Sequence, residues 1–297
     1  MPPTSRRTAR SRALPCWIAL LALTPTAPGQ DAPAAKPSEE ARDAGQSKDG
    51  KGKWTPVFQR HAADYRIASG PGAEAKMLPD PVLRWGQPIR GGDDGALYLW
   101  TSQGRPVAAV TFFTFKWPSN GERIIVHERH SFAPGPLEVS WRGRSPWHPV
   151  APGLTFKPMP DAPAPADSAP ARLRQMQAMI REVSATTTDD KGSTWTMRAL
   201  NKPLHRYEVP DQGIADGALF ALAQGTDPEV FFLLEARGVG KEARWEFAVA
   251  RFTDLAFRVE SKGRKVFDGP HTLGADGQVY FVNTVQSKVS ESPDDFP

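Results

Sequence analysis

The sequence predicts an α+β protein made of two tandem copies of one unit, a short helix followed by about five antiparallel strands. Three observations carry this. Gly95-Ala96-Leu97-Tyr98 returns as Gly217-Ala218-Leu219-Phe220, an offset of 122. The offset settles at 120 further on, where Phe132, Val139 and Gly143-Arg144 match Phe252, Val259 and Gly263-Arg264, and Phe267 stands where Trp147 does. Short apolar runs separated by turn residues recur on both sides of a proline-rich break. Upstream, Arg84 and Pro88-Ile89 correspond loosely to Arg198 and Pro203-Leu204.

Each unit opens on a helix. The first is expected near Pro56 to Ile67. In the second, Ser168 can cap the N-terminus, Pro170 suits the first turn, and Leu173, Met176, Ile180 and Val183 fall on one face. The strands expected in the first unit are 81–90, 95–102, 107–117, 123–132 and 137–142. Those in the second are 193–201, 217–223, 229–236, 243–252 and 255–261. A helix packed on one face of an antiparallel sheet is a stable two-layer arrangement. The two sheets can join into one larger sheet, close into a partial barrel, or stay as separate lobes. The sequence leaves these open.

The domain boundaries follow. Residues 1–29 read as a signal peptide, 30–53 as a disordered linker and 54–148 as the first unit. Residues 149–168 are a Pro-rich linker, docked through Phe156 and Met159; 169–270 are the second unit and 271–297 a C-terminal extension. Within that extension Val279-Tyr280-Phe281-Val282 can add a strand, and Ser290 to Pro297 reads as a frayed tail.

The 297 residues hold 37 Lys+Arg and 33 Asp+Glu, a net charge of +4. Arg6, Arg7, Arg10 and Arg12 account for all of the excess. The remainder is neutral, which argues against nucleic acid as a partner, because that needs a clustered basic surface. The arginines precede an apolar run, Cys16 to Leu23, and then small residues, with Ala27-Pro28-Gly29 at a cleavage position. That order is a secretory signal peptide, and export to the periplasm or beyond follows. Arg6-Arg7 leaves both the general and the twin-arginine routes open. The run is too short to span a bilayer, so no transmembrane anchor is expected. Cys16 is the only cysteine. The exported chain therefore has no disulfide, thiol nucleophile or cysteine-ligated metal.

The runs Leu83-Arg84-Trp85, Gly95 to Trp100, Pro165-Ala166-Asp167-Ser168 with Arg172 to Met176, and Gly225 to Val230 resemble a family of uncharacterised exported proteins from planctomycete-type bacteria. The resemblance covers roughly residues 80–270. It implies export and carries over no catalytic residue.

The candidate chemistry comes from comparing the copies. Where the second has Phe247-Ala248-Val249-Ala250, the first has His127-Glu128-Arg129-His130. On a strand, Glu128 and His130 share a face with Ile124, Val126 and Phe132, while His127 and Arg129 share the other with Ile125. A carboxylate beside a histidine can orient a general base or bind a metal, so Glu128 and His130 are the weak catalytic candidates. The alternative is a half-exposed strand with a solvated charge cluster. His127, Arg129, Trp117, Trp147 and His148 are the ligand-binding candidates. Aromatic faces can stack on sugar rings. Trp117 and Trp147 are the tryptophans expected to be exposed, and Trp85 and Trp100 the buried ones. No His-Glu-x-x-His helix, nucleophile elbow, phosphate loop or calcium loop is present, so no metal or cofactor is implied. The expected protein is an exported, non-catalytic binding or envelope-associated module. Its ligand would lie in a groove between the copies or on the first copy's Trp- and His-rich surface. Its partner is an envelope polysaccharide or protein. A hydrolase or metal-dependent enzyme is the rival, and a structural protein without a small ligand the third reading.

Overall fold

The computed structural model describes residues 52–297 apart from positions 71, 88–91, 118 and 239. The predicted signal peptide, nearly all of the linker 30–53 and the Pro88-Ile89 match lie outside those residues.

Helix α1 (Thr55–Ala63) has Pro56 in its first turn and buries Val57, Phe58, His61 and Ala62. It ends four residues earlier than the expected Ile67. From Tyr65 the burial period changes from helical to alternating, and β1 (Tyr65–Ala68) buries Tyr65 and Ile67. The chain continues through β2 (Lys76–Met77), β3 (Leu83–Gln87), β4 (Gly92–Ser102), β5 (Arg105–Lys116), β6 (Arg123–Ser131) and β7 (Glu138–Trp141). The proline-rich segment contributes only β8 (Lys157–Pro158). Helix α2 (Ala169–Arg181) follows. Met176 and Ile180 are buried as expected, but Ser168 makes no side-chain cap and Val183 belongs to the next strand. Then come β9 (Val183–Thr188), β10 (Thr194–Ala199), β11 (His205–Val209), β12 (Ile214–Gln224), β13 (Asp227–Arg237), β14 (Arg244–Arg251), β15 (Ala256–Ser261), β16 (Arg264–Gly269) and β17 (Tyr280–Lys288). The ten expected strands are all present. Of the missed ones, β1, β2 and β8 have two to four residues, β11 and β16 lie at sheet edges, and β9 lies inside the large sheet but follows directly on α2, whose apolar face was read on to Val183.

The described residues are β-rich, every strand pair is antiparallel, and the strands form three sheets. One has the order β17-β6-β5-β4-β2, with β3 also on β4. Another runs β16-β15-β9-β10-β12-β13-β14-β8, with β11 on β12. The third is the pair β1-β7. The two large sheets do not merge edge to edge, so of the arrangements the sequence left open the single larger sheet does not form. They stack face to face instead, because their central strands are apolar on both faces. Ala96, Tyr98 and Trp100 of β4 join Val57, Phe58 and Ala62 of α1 in one core. Ala218, Phe220 and Leu222 of β12 join Met176, Met179 and Ile180 of α2 in another. The alternate residues Leu97, Leu99, Leu219 and Ala221 meet in a core between the sheets. The result is four layers, helix–sheet–sheet–helix.

Several strand pairs at or near the offsets of 120 to 122 share a register. Leu83 faces Leu97 and Trp85 faces Gly95; His205 faces Leu219 and Tyr207 faces Gly217. Phe112 faces His127 as Leu234 faces Phe247. Ile67 faces Val139 as Ala185 faces Val259. Trp85 lies over Gly95 and Tyr207 over Gly217 so closely that a Cβ on either glycine would overlap the ring. The halves differ in that β9 also pairs with β10, whereas β1 and β7 stand apart.

β8 pairs with β14, and β17 with β6. Phe156 and Met159 dock the linker, as expected, onto the inter-sheet and second-unit cores. Of the expected Val279 to Val282, Tyr280 to Val282 do enter a strand, β17. The tail is not frayed: Phe296 is fully buried and meets Trp54 edge-on at 5.3 Å. Its aromatic ring, passed over in a short polar stretch, is the physical reason.

Candidate functional site

Every residue of β6 is buried. Strands β5 and β17 flank it, α1 lies over one face and the second sheet over the other. The solvated-strand alternative is therefore wrong, although the expected division of faces is right.

On the helix side, His127 and Arg129 form a chain with two residues the sequence did not single out. The Arg129 Nε–H donates to the Tyr65 hydroxyl at 2.8 Å, and the hydroxyl lies 2.8 Å from His127 Nδ1. His127 Nε2 is 2.8 Å from His61 Nδ1, and His61 Nε2 is 3.3 Å from the main-chain oxygen of Pro297. One end can only donate and the other only accept, which fixes the direction. Tyr65 donates to His127, His127 to His61, and His61 to Pro297. Both imidazoles are neutral and carry their proton on Nε2. Burial, reinforced by Arg142, lowers His61 to about 4. Burial, with Arg129 and His61, holds His127 well below its usual value. Burial raises Tyr65. Phe112 and Trp141 pack on the His127 ring at 4.7 and 4.9 Å. Arg129 is fully buried. Its Nη1 donates to Asn283 Oδ1 at 2.6 Å, its guanidinium lies 5.5 Å from the Phe281 ring, and Nη2 has no hydrogen-bond partner among the described residues.

Glu128 and His130 face the other sheet and are only 8% and 2% exposed. The Tyr280 hydroxyl donates to Glu128 at 2.7 Å. The His130 Nδ1–H donates to the Ser131 carbonyl at 2.6 Å, and burial lowers this histidine to about 3. Burial and the Glu128 carboxylate raise Tyr280 well above a normal phenol. The pair is enclosed, and its carboxylate is already committed to a neighbour.

The remaining candidates do not converge on it. Trp147 is fully buried, contrary to expectation, with its indole donating to the Gln278 carbonyl at 2.8 Å. Its flanking proline suggested a surface turn, but residues 276–278 pack against that turn. Trp117 is half-buried and ends a row in which Trp85, Phe113, Phe115 and Trp117 follow at 5.3, 6.4 and 5.8 Å. His148 is exposed and pairs with Asp276 at 2.8 Å. Trp85 and Trp100 are buried as expected. Among the described residues no group of three or more His, Cys, Asp or Glu converges to hold a metal, and no helix is long and apolar enough to cross a membrane.

A cleft of about 280 Å³ opens between the two sheets, lined by Arg105, Phe132, Leu154, Phe156, Gln212 and Arg237. Two of these residues share a partner, the fully buried Glu235, which accepts from Arg105 Nε at 2.9 Å, Arg237 Nε at 2.6 Å and Tyr207 Oη at 2.6 Å. The Arg105 and Arg237 guanidiniums stand 5.4 and 4.5 Å from the Phe156 ring. A second, more open depression of about 420 Å³ on β9, β15 and β16 mixes Arg258, Glu260 and Asp268.

These residues left a faint signal in the sequence. Arg105, Glu235 and Arg237 are the charged ends of otherwise apolar strands. The matched Gly-Ala-Leu runs also extend one residue upstream, to Asp94 and Asp216. Both are buried, and each is paired with an arginine on the neighbouring strand, Arg84 or Arg206. Asp94 accepts from the Gly52 and Trp54 backbone at the start of α1, and Asp216 from Arg172 of α2 at 2.9 Å. Each ties a helix to its sheet.

No protein-family model, curated protein or solved structure matches the chain.

Proposed function

We propose that the chain is an exported, non-catalytic binding module built by tandem duplication, whose ligand enters the cleft between the two sheets. One observation carries the binding reading. The cleft's walls come from both units and from the linker: Arg105 and Phe132, Arg237 and Gln212, Leu154 and Phe156. Duplication is supported by the matching registers, the two aromatic-over-glycine contacts and the two Asp–Arg pairs. Export rests on the N-terminal arginines and apolar run, and on the resemblance to exported planctomycete-type proteins. The catalytic rival loses its support because Glu128 and His130 are enclosed.

A second reading has its own observation. The half-exposed row ending at Trp117 offers stacking faces to an envelope polysaccharide. Two variants separate the readings in a thermal-shift screen of small organic ligands and cell-wall sugars. Leu154→Trp, which fills the cleft, removes the response if the cleft is the site. Trp117→Ala removes a sugar response if the row is the site. A response untouched by either variant refutes both. Export is tested by expressing the full chain in a Gram-negative host. A periplasmic product starting at Gln30 is expected, and an uncleaved cytoplasmic one overturns it.

A further inference from the structure

We infer that the cleft between the sheets selects a small amphipathic carboxylate, a monoanionic head on a compact apolar body. This rests on the reading of the cleft as the ligand site.

The donors come first. Arg105 and Arg237 spend their Nε atoms on Glu235. Nη2 of Arg237 also contacts Glu235. Both terminal nitrogens of Arg105 and Nη1 of Arg237 have no hydrogen-bond partner among the described residues. A guanidinium is a fork that matches a carboxylate in two bonds. Here the forks are held in place beforehand by Glu235 on one side and the Phe156 ring on the other. Less ordering entropy is then lost on binding.

Charge and solvation come next. Arg105, Arg237 and Arg244 face Glu235 and Glu246 in one linked cluster, a surplus of one positive charge. That balances a monoanion and leaves a dianion such as phosphate half-neutralised. The Arg105 side chain is only 13% exposed and that of Arg237 30%. An anion between them is screened less than at an open surface.

Shape sets the rest. Phe132, Pro134, Leu154 and Phe156 supply apolar walls. A volume of about 280 Å³ sits just under the usual range for small-molecule sites, about 300–1,000 Å³. One ring or a short chain fits; a polymer or a nucleotide does not. A cation meets the wrong sign, and a neutral ligand leaves the arginine forks unmatched.

The test titrates the full chain by calorimetry with benzoate, its neutral isostere benzamide, and inorganic phosphate, in wild type, Leu154→Trp and Arg105→Gln. Expected are saturable benzoate binding, at least about tenfold weaker benzamide, and no competition from phosphate. Leu154→Trp abolishes binding with an unchanged circular-dichroism spectrum. Arg105→Gln, with Glu235 still held by Arg237 and Tyr207, weakens benzoate about tenfold and benzamide little. Equal binding of benzoate and benzamide, lost in Leu154→Trp, overturns the carboxylate inference and keeps the cleft. Phosphate displacing benzoate overturns the amphipathic requirement. No binding by any probe, or benzoate binding that survives Leu154→Trp, overturns the inference and the cleft together.

Discussion

Acid should unfold this protein as pH falls from about 6.5 toward 5. Three histidines, His61, His127 and His130, are buried and neutral. The groups around them mostly oppose a proton. His61 faces Arg142 and Arg60 against Asp64, His127 faces Arg129 and Arg142, and His130 faces Arg251. Folding lowers each pKa, to about 4 for His61, about 3 for His130 and well below the ordinary value for His127. The unfolded chain takes up protons as pH falls through about 6.5, and the folded chain does not. Stability is therefore present above pH 6.5 and lost below it. Between pH 7.5 and 5.0 each such histidine costs about 2 kcal/mol, from roughly 1.5 units at about 1.4 kcal/mol each. Three together give about 6 kcal/mol, comparable to the whole stability of a typical domain. The assay is urea unfolding followed by tryptophan fluorescence at pH 7.5, 6.5 and 5.0. His130→Leu should reduce the loss to about 4 kcal/mol, because it removes one titrating group without touching the His61–His127 chain. A wild-type stability that is flat over this range, or a His130→Leu curve parallel to wild type, would refute the argument.

Three further outcomes follow from packing and charge. Gly95→Ala and Gly217→Ala should each cost about 1–3 kcal/mol in denaturant unfolding, since Trp85 and Tyr207 are pinned by bonds to Thr111 and Glu235 and cannot swing aside; Gly135→Ala, with open space around it, is the control. Asp216→Ala should cost about 3–5 kcal/mol, because Arg172 and Arg206 lose their shared carboxylate. Arg129→Met should be neutral or stabilise by up to about 4 kcal/mol, since it removes a buried cation that no carboxylate among the described residues partners and leaves Tyr65 bonded to His127; a loss of several kcal/mol would show that the cation is essential to the core.

What was legible in the sequence was what local chemistry dictates. Long strands with turn residues at both ends, such as β4, β5, β12 and β13, were found to within a few residues. The alternation in β6 placed His127 with Arg129 and Glu128 with His130 on opposite faces. What failed depended on partners far away along the chain. The burial of β6 depends on β17, more than 150 residues later in the chain, and Trp147 is sealed by residues 276–278. His61 and Tyr65 were hidden at the end of a helix whose limit was misjudged. A groove between the copies was expected, but not the residues that line it, because Arg105, Arg237 and Glu235 sit at the ends of apolar strands and meet only when the sheets stack.

The polar β6 still needs an account, because Phe247-Ala248-Val249-Ala250 of β14, at an offset of 120, is apolar on both faces. The difference tracks what covers each edge. Against β14 lies only the two-residue β8. Against β6 lies β17, and its side chains answer the polar ones on both faces: Tyr280 donates to Glu128 toward the second sheet, and Asn283 accepts from Arg129 toward α1. Beyond β17, Pro297 accepts the last proton of the His61–His127 chain. Side chains alternate along a strand, so a one-residue slip of β17 would turn Tyr280 and Asn283 to the wrong faces and orphan a buried carboxylate and a buried guanidinium together. An apolar edge would accept either register at similar free energy. Glu128, Arg129 and the two histidines therefore specify the register of β17 and the seat of the segment ending at Phe296. That role accounts for charged and histidine side chains in a strand whose every residue is buried.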